Sequence, residues 1–160
     1  MLKRLIKAVR RNHALEHATI AILLQRLGRP TRVVGRAGAD GFCIYADIPS
    51  DKIYESAREG LARLQAGETG LAVSPLCGTN IAVAGLLAGL ASTLALGSGG
   101  RRQRLPQVLA AAMLAVTLAQ PLGRLAQRHL TTSADLEGME IVGVERLGRL
   151  PHLHKVRTRG

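Results

Sequence analysis

Between Leu2 and Leu27 the apolar residues return every three or four positions. At about 100° per residue, Leu2, Leu5, Ile6, Val9, Ile20, Leu23, Leu24 and Leu27 fall on one helical stripe. Lys3, Arg4, Lys7, Arg11 and Arg26 point elsewhere, and Gly28 with Pro30 supplies a stop. Residues Thr31 to Gly35 read as extended, Gly38-Ala39-Asp40-Gly41 as a turn, and Phe42 to Ala46 as a strand. Pro49-Ser50-Asp51 opens a second helix through about Ala66, with Ser50 as its cap and Ile53, Ala57, Leu61 and Leu64 as its stripe. Leu71-Ala72-Val73 reads as short and extended. Glu140 to Glu145 alternates polar and apolar, Pro151 to Thr158 is a weaker strand, and Gly148 between them predicts a hairpin.

Two uncharged runs interrupt this pattern, Ile81 to Gly97 and Leu105 to Gly123. At 1.5 Å per residue each is about long enough to cross a hydrocarbon core of ~30 Å. Pro106 suits a first helical turn, and Ser98-Gly99-Gly100-Arg101-Arg102-Gln103-Arg104 makes a polar connector. The runs therefore predict a transmembrane hairpin; two buried helices of a soluble bundle are the alternative. The expected fold is α+β, a small helix-plus-antiparallel-sheet domain interrupted by that hairpin. Residues 1–78 form an N-terminal part, 79–123 the hairpin, and 124–160 a C-terminal β-hairpin part packing on the first. Gly85 and Gly89, with Ala84, Ala88, Ala91 and Ser92 and with Ala111, Ala112, Ala115 and Ala119, provide small surfaces for close helix packing. The same surfaces could pack the spans on each other or form a homodimer.

Composition sharpens the picture in two respects. Of 160 residues 47% are hydrophobic but only 2% aromatic, and the net charge is +11. Lys3, Arg4, Lys7, Arg10 and Arg11 crowd the start of the chain, where Glu16 is the first acid. A basic amphipathic helix beside membrane spans predicts anionic lipid headgroups as its partner. Nucleic acid is not expected, because the basic segments lack aromatic stacking platforms. Two cysteines, Cys43 and Cys77, make no disulfide framework and suit a reducing compartment. No export signal is visible, so the expected location is a bacterial inner membrane with both termini cytoplasmic.

The candidate chemistry sits in the first helix, where His13, Glu16 and His17 occupy the middle of the apolar stripe. A buried polar group left unpaired costs roughly 1–3 kcal/mol, so these three require partners. Residues four apart share a helix face, so His13 and His17 can hold one metal ion, with zinc the expected cofactor. The H-x-x-E-H order is the inverted zincin arrangement, with Glu16 placed to activate a bound water. Alternatively, backbone carbonyls satisfy both histidines and an arginine pairs with Glu16. Cys77, before Gly78 at the mouth of the first run, is the first choice for a third ligand, and His129 the second. Asp135 and Glu137 could complete a harder site, while His152 and His154 read as solvent-facing. Ser74 and the Thr131-Thr132-Ser133 hydroxyls have no triad context.

Asn12-His13-Ala14-Leu15-Glu16-His17-Ala18-Thr19-Ile20, Cys77-Gly78-Thr79-Asn80 and Gln127-Arg128-His129-Leu130-Thr131-Thr132 resemble an uncharacterised family of small two-span bacterial membrane proteins. More distantly, the first two stretches are similar to YqhQ-like membrane proteins, predicted metal-dependent enzymes. There a G-A-E-H-K-T-I segment is followed by H-P-R-C-G-T-S before a span. That likeness implies a site of His13, Glu16, His17 and Cys77, but Ser74 stands where those proteins have a histidine. The expected function is an integral membrane metal-dependent hydrolase working at the membrane surface. The alternative is a structural metal site or a scaffold without catalysis.

Overall fold

In the computed structural model, which describes residues 1–97, 104–147 and 152–160, the first helix, α1, spans Leu2–Leu27. Gly28 ends it in the left-handed conformation at φ 60°, donating its N–H to Leu24 O, a closure that glycine allows at no steric cost. Strands β1 (Val34–Gly38) and β2 (Gly41–Tyr45) follow, then helix α2 (Ser50–Gln65) and a single 3-10 turn at Thr69–Ala72. That turn replaces the extended segment expected at Leu71–Val73. Helices α3 (Gly78–Gly97) and α4 (Arg104–Ala126) lead through a π-helical turn at Gln127–Thr131 to strands β3 (Glu140–Arg146) and β4 (Leu153–Arg159). The connector expected at Ser98–Arg104 and the turn at Gly148 fall on residues 98–103 and 148–151, outside the described residues.

The chain divides into two units, Met1–Ser74 with Arg128–Gly160, and Pro75–Gln127. The first is α+β. Its antiparallel sheet has the order β1-β2-β4-β3, so the last strand inserts between strands from both chain halves. Phe42, Ile44 and Val156 on the sheet meet Leu15, Ala18 and Leu23 of α1 and Ile53, Ala57 and Leu64 of α2. Fully burying each large side chain contributes about 1.5–3 kcal/mol. The α2 stripe thus faces the core as the periodicity requires.

The α1 stripe does so only in part. Leu2, Leu5 and Ile6 remain 69%, 49% and 49% exposed. Arg11, expected to face outward, is instead buried, and its guanidinium donates to the carbonyls of Asp135 and Glu137. Those two peptide groups have no ladder partner there, so a cation with several donors is a better neighbour than an aliphatic chain. Ser50 is the first helical residue rather than the cap of α2, and its hydroxyl goes to His154 Nδ1 at 3.0 Å.

In the second unit α3 packs on α4. Among the described residues, two helical stretches are long and apolar enough to cross a membrane, Gly78–Ala95 and Leu105–Thr131. Ala84, Ala88, Ala91 and Ser92 are half-buried and Ala115 and Ala119 buried, as a close helix pair requires. Gly85 and Gly89 are exposed, and a Cβ on either would meet nothing within 4 Å. The glycine pair is therefore not what brings these two helices together. Close approach comes instead at Gly123, which lies against Asn80. Asn80 Oδ1 accepts a hydrogen bond from Gln127 Nε2 at 2.9 Å, and its Nδ2 donates to Pro75 O at 2.9 Å.

Candidate metal centre

The central turns of α1 are held by their own polar groups before any ligand is considered. Arg10 donates to the carbonyls of His129 and Thr132, and its own carbonyl accepts from Ser133 N at 3.0 Å. Asn12 donates to Gly38 O at 2.8 Å and accepts from Thr158 Oγ1 at 2.7 Å, tying α1 to the β1–β2 turn and to β4. Thr19 returns its hydroxyl to Leu15 O. Much of the polar spelling around the histidines is thus structural.

One turn further along, His13 Nδ1 lies 2.9 Å from Thr131 O, and His17 Nδ1 lies 2.8 Å from Ala72 O. A carbonyl can only accept, so both Nδ1 atoms carry a proton, and in the neutral imidazole Nε2 is then the nitrogen with the lone pair. This is the tautomer a metal-binding histidine needs, fixed by the carbonyl bond that commonly orients such ligands. The two rings are 4.4 Å apart between centroids and inclined at 60°. A ring nitrogen of each lies within 4.8 Å of the other, close enough for both to bind one ion. His17 is buried at 4% exposure, and His13 is half-buried. The carbonyl-satisfied alternative and the metal alternative therefore use different nitrogens of the same rings, and the geometry accommodates both.

Glu16 is buried at 6% exposure on the same face of α1. Its carboxylate and Cγ occupy the space where a Cβ on Gly35 would stand. Glycine at this strand position serves close approach, which makes Gly35 a site residue where the sequence pattern gives only the end of an extended stretch. An isolated glycine within a strand was the available signal.

The remaining candidates separate. In the second unit Cys77 precedes α3, where Sγ lies 3.3 Å from Thr79 Oγ1 and accepts the Thr79 N–H at 3.4 Å. His129 has an exposed side chain, and what it contributes at α1 is its carbonyl, bonded by Arg10. Among the described residues it does not group with the histidine pair. Asp135 accepts the Glu137 N–H at 3.3 Å as a local turn, and both residues serve Arg11 through their carbonyls. His154, expected to face solvent, is fully buried, because its partner across the sheet is the core residue Ile44. Burial holds its imidazole below the ordinary value, with the Ala46 backbone hydrogen bond opposing this and Arg146 and His152 adding to it. His152 is half-buried beside Asp47 at 3.2 Å.

These features define a class: an α+β domain with a tautomer-fixed histidine pair on its first helix, interrupted by two helices of membrane-spanning length. The chain belongs to the family described as domain of unknown function DUF6391, which matches residues 8–144. It is also 34% identical over 145 residues to an uncharacterized protein of Picosynechococcus, covering 80% of this chain and 67% of that protein. No solved structure matches the chain.

Proposed function

We propose that this is an integral membrane protein of the bacterial inner membrane, with both termini cytoplasmic, whose α1 histidine pair binds one divalent metal ion for hydrolysis at the membrane surface. The observation that carries the reading is the pair of Nδ1-to-carbonyl bonds, which present two Nε2 lone pairs from adjacent turns of one helix. Zinc suits imidazole ligands, and Cys77 is the proposed third. Ala72, whose carbonyl orients His17, precedes Cys77 by five residues, so the chain limits the thiol's backbone to about 17 Å from that carbonyl. His129 is the weaker proposal, since its ring would have to turn in from solvent.

A zinc with an open position lowers the pKa of bound water toward about 7. Glu16, pressed against Gly35 on the histidine face, is the residue proposed to take that proton. A hydrolytic role requires this carboxylate and an open coordination position, whereas a structural site would close with a fourth protein ligand.

Elemental analysis of the full chain in mild detergent tests the reading. Near-stoichiometric zinc in the wild type, lost in His17→Ala and in Cys77→Ser but kept in Glu16→Gln, is the expected pattern. A wild type without metal overturns the metal centre and leaves the histidines as clamps on the chain segments around Ala72 and Thr131. Metal kept in Cys77→Ser removes the thiol from the set.

A further inference from the structure

The first turns of α1 present a stripe that the fold leaves uncovered. Lys3, Ile6, Lys7 and Arg10 follow one another at helical spacing and line a surface hollow together with Ser133. Lys3 and Lys7 are exposed, as are Leu2 and Leu5 beside them, and no acidic residue precedes Glu16 in the chain. We infer that this hollow binds the phosphate headgroup of an anionic lipid, with Leu2, Leu5 and Ile6 entering the acyl boundary beside it. This inference rests on the reading of α3 and α4 as membrane spans.

Two independent features select this occupant. The first is charge: three cations and a hydroxyl at one hollow complement a phosphodiester, and the neighbouring exposed leucines and isoleucine would be misplaced against a soluble anion. The second is continuity with the apolar span. The apolar helical stretch that begins at Leu105 runs to Thr131. Helix α1 is bonded to the residues at and just beyond that end: Arg10 to the carbonyls of His129 and Thr132, His13 to Thr131 O, and Ser133 N to Arg10 O. When that stretch crosses a bilayer, the residues to which α1 is bonded lie at its boundary by chain continuity. A basic and apolar stripe on the helix bonded to them complements phosphate and acyl chain together.

Full-length protein in neutral detergent, offered phosphatidylglycerol and phosphatidylcholine together, allows the retained lipid to be read by native mass spectrometry. Phosphatidylglycerol should be retained in preference. Lys3→Gln with Lys7→Gln should weaken that retention roughly 10- to 30-fold, the loss of two surface cations at about three- to fivefold each. Arg29→Gln with Lys52→Gln removes the same charge elsewhere on the surface and should leave retention unchanged. Equal loss in the two double variants, or no preference between the lipids, overturns the site. Displacement of the lipid by inorganic phosphate at equal concentration would mark a free-phosphate site and overturn the lipid assignment. Alkaline carbonate washing separates the underlying reading: a wild type that stays in the membrane without lipid preference refutes the headgroup site alone, and one that washes off refutes both.

Discussion

Replacing Gly35 by alanine probes a close contact of Glu16. A Cβ at this position would stand 2.6 Å from Glu16 Cδ and 2.8 Å from its Cγ, well inside van der Waals contact. Because Glu16 is buried, its side chain has little room to yield, and overpacking of this kind costs about 1–3 kcal/mol. Propensity alone gives the opposite sign, since glycine within a strand is about 0.5–1 kcal/mol less favourable than alanine. The two effects separate in a double-mutant cycle. Gly35→Ala should destabilise the wild type by about 1–3 kcal/mol and be neutral or mildly stabilising where Glu16→Ala has removed the obstacle. Hydrogen exchange of the α1 and β1 amides reads this local opening free energy separately from that of the apolar hairpin. The same penalty in both backgrounds would refute the contact, and the alanine would then be clashing with something other than Glu16.

Two further outcomes follow from the buried polar groups. Since burial holds His154 below its ordinary value of 6.5, the unfolded chain takes up that proton first as pH falls. Stability attributable to His154 is therefore intact above about pH 6.5 and declines below it, and His154→Gln should flatten the decline in urea unfolding compared between about pH 7.5 and 5.5. Equal declines in the two proteins would assign the effect to other groups. In the second unit, Gly123→Ala should destabilise the hairpin by about 1–3 kcal/mol in detergent unfolding, because the new Cβ displaces Asn80, the acceptor for Gln127. Helix propensity alone predicts a gain of up to about 1 kcal/mol, so the sign decides.

What the linear chain determined is mostly what short-range periodicity encodes. The length of α1, its glycine stop, the core stripe of α2, the two uncharged helices and the alternation of β3 are local patterns, set by which residues share a face. The α+β class follows from their order. The H-x-x-E-H spelling likewise places two imidazoles and a carboxylate on one helix face before anything else has folded. Partner choice is not local. Arg11 is buried because two carbonyls 124 and 126 residues away need a donor, and His154 because it lies across from Ile44. Leu2 and Leu5 stay exposed although the same periodicity puts them on the stripe that is buried further along α1. Only the tertiary structure brings the carbonyls of Ala72 and Thr131 to the two histidines. Those bonds fix which nitrogen keeps its lone pair, and a sequence names the ring without choosing the nitrogen.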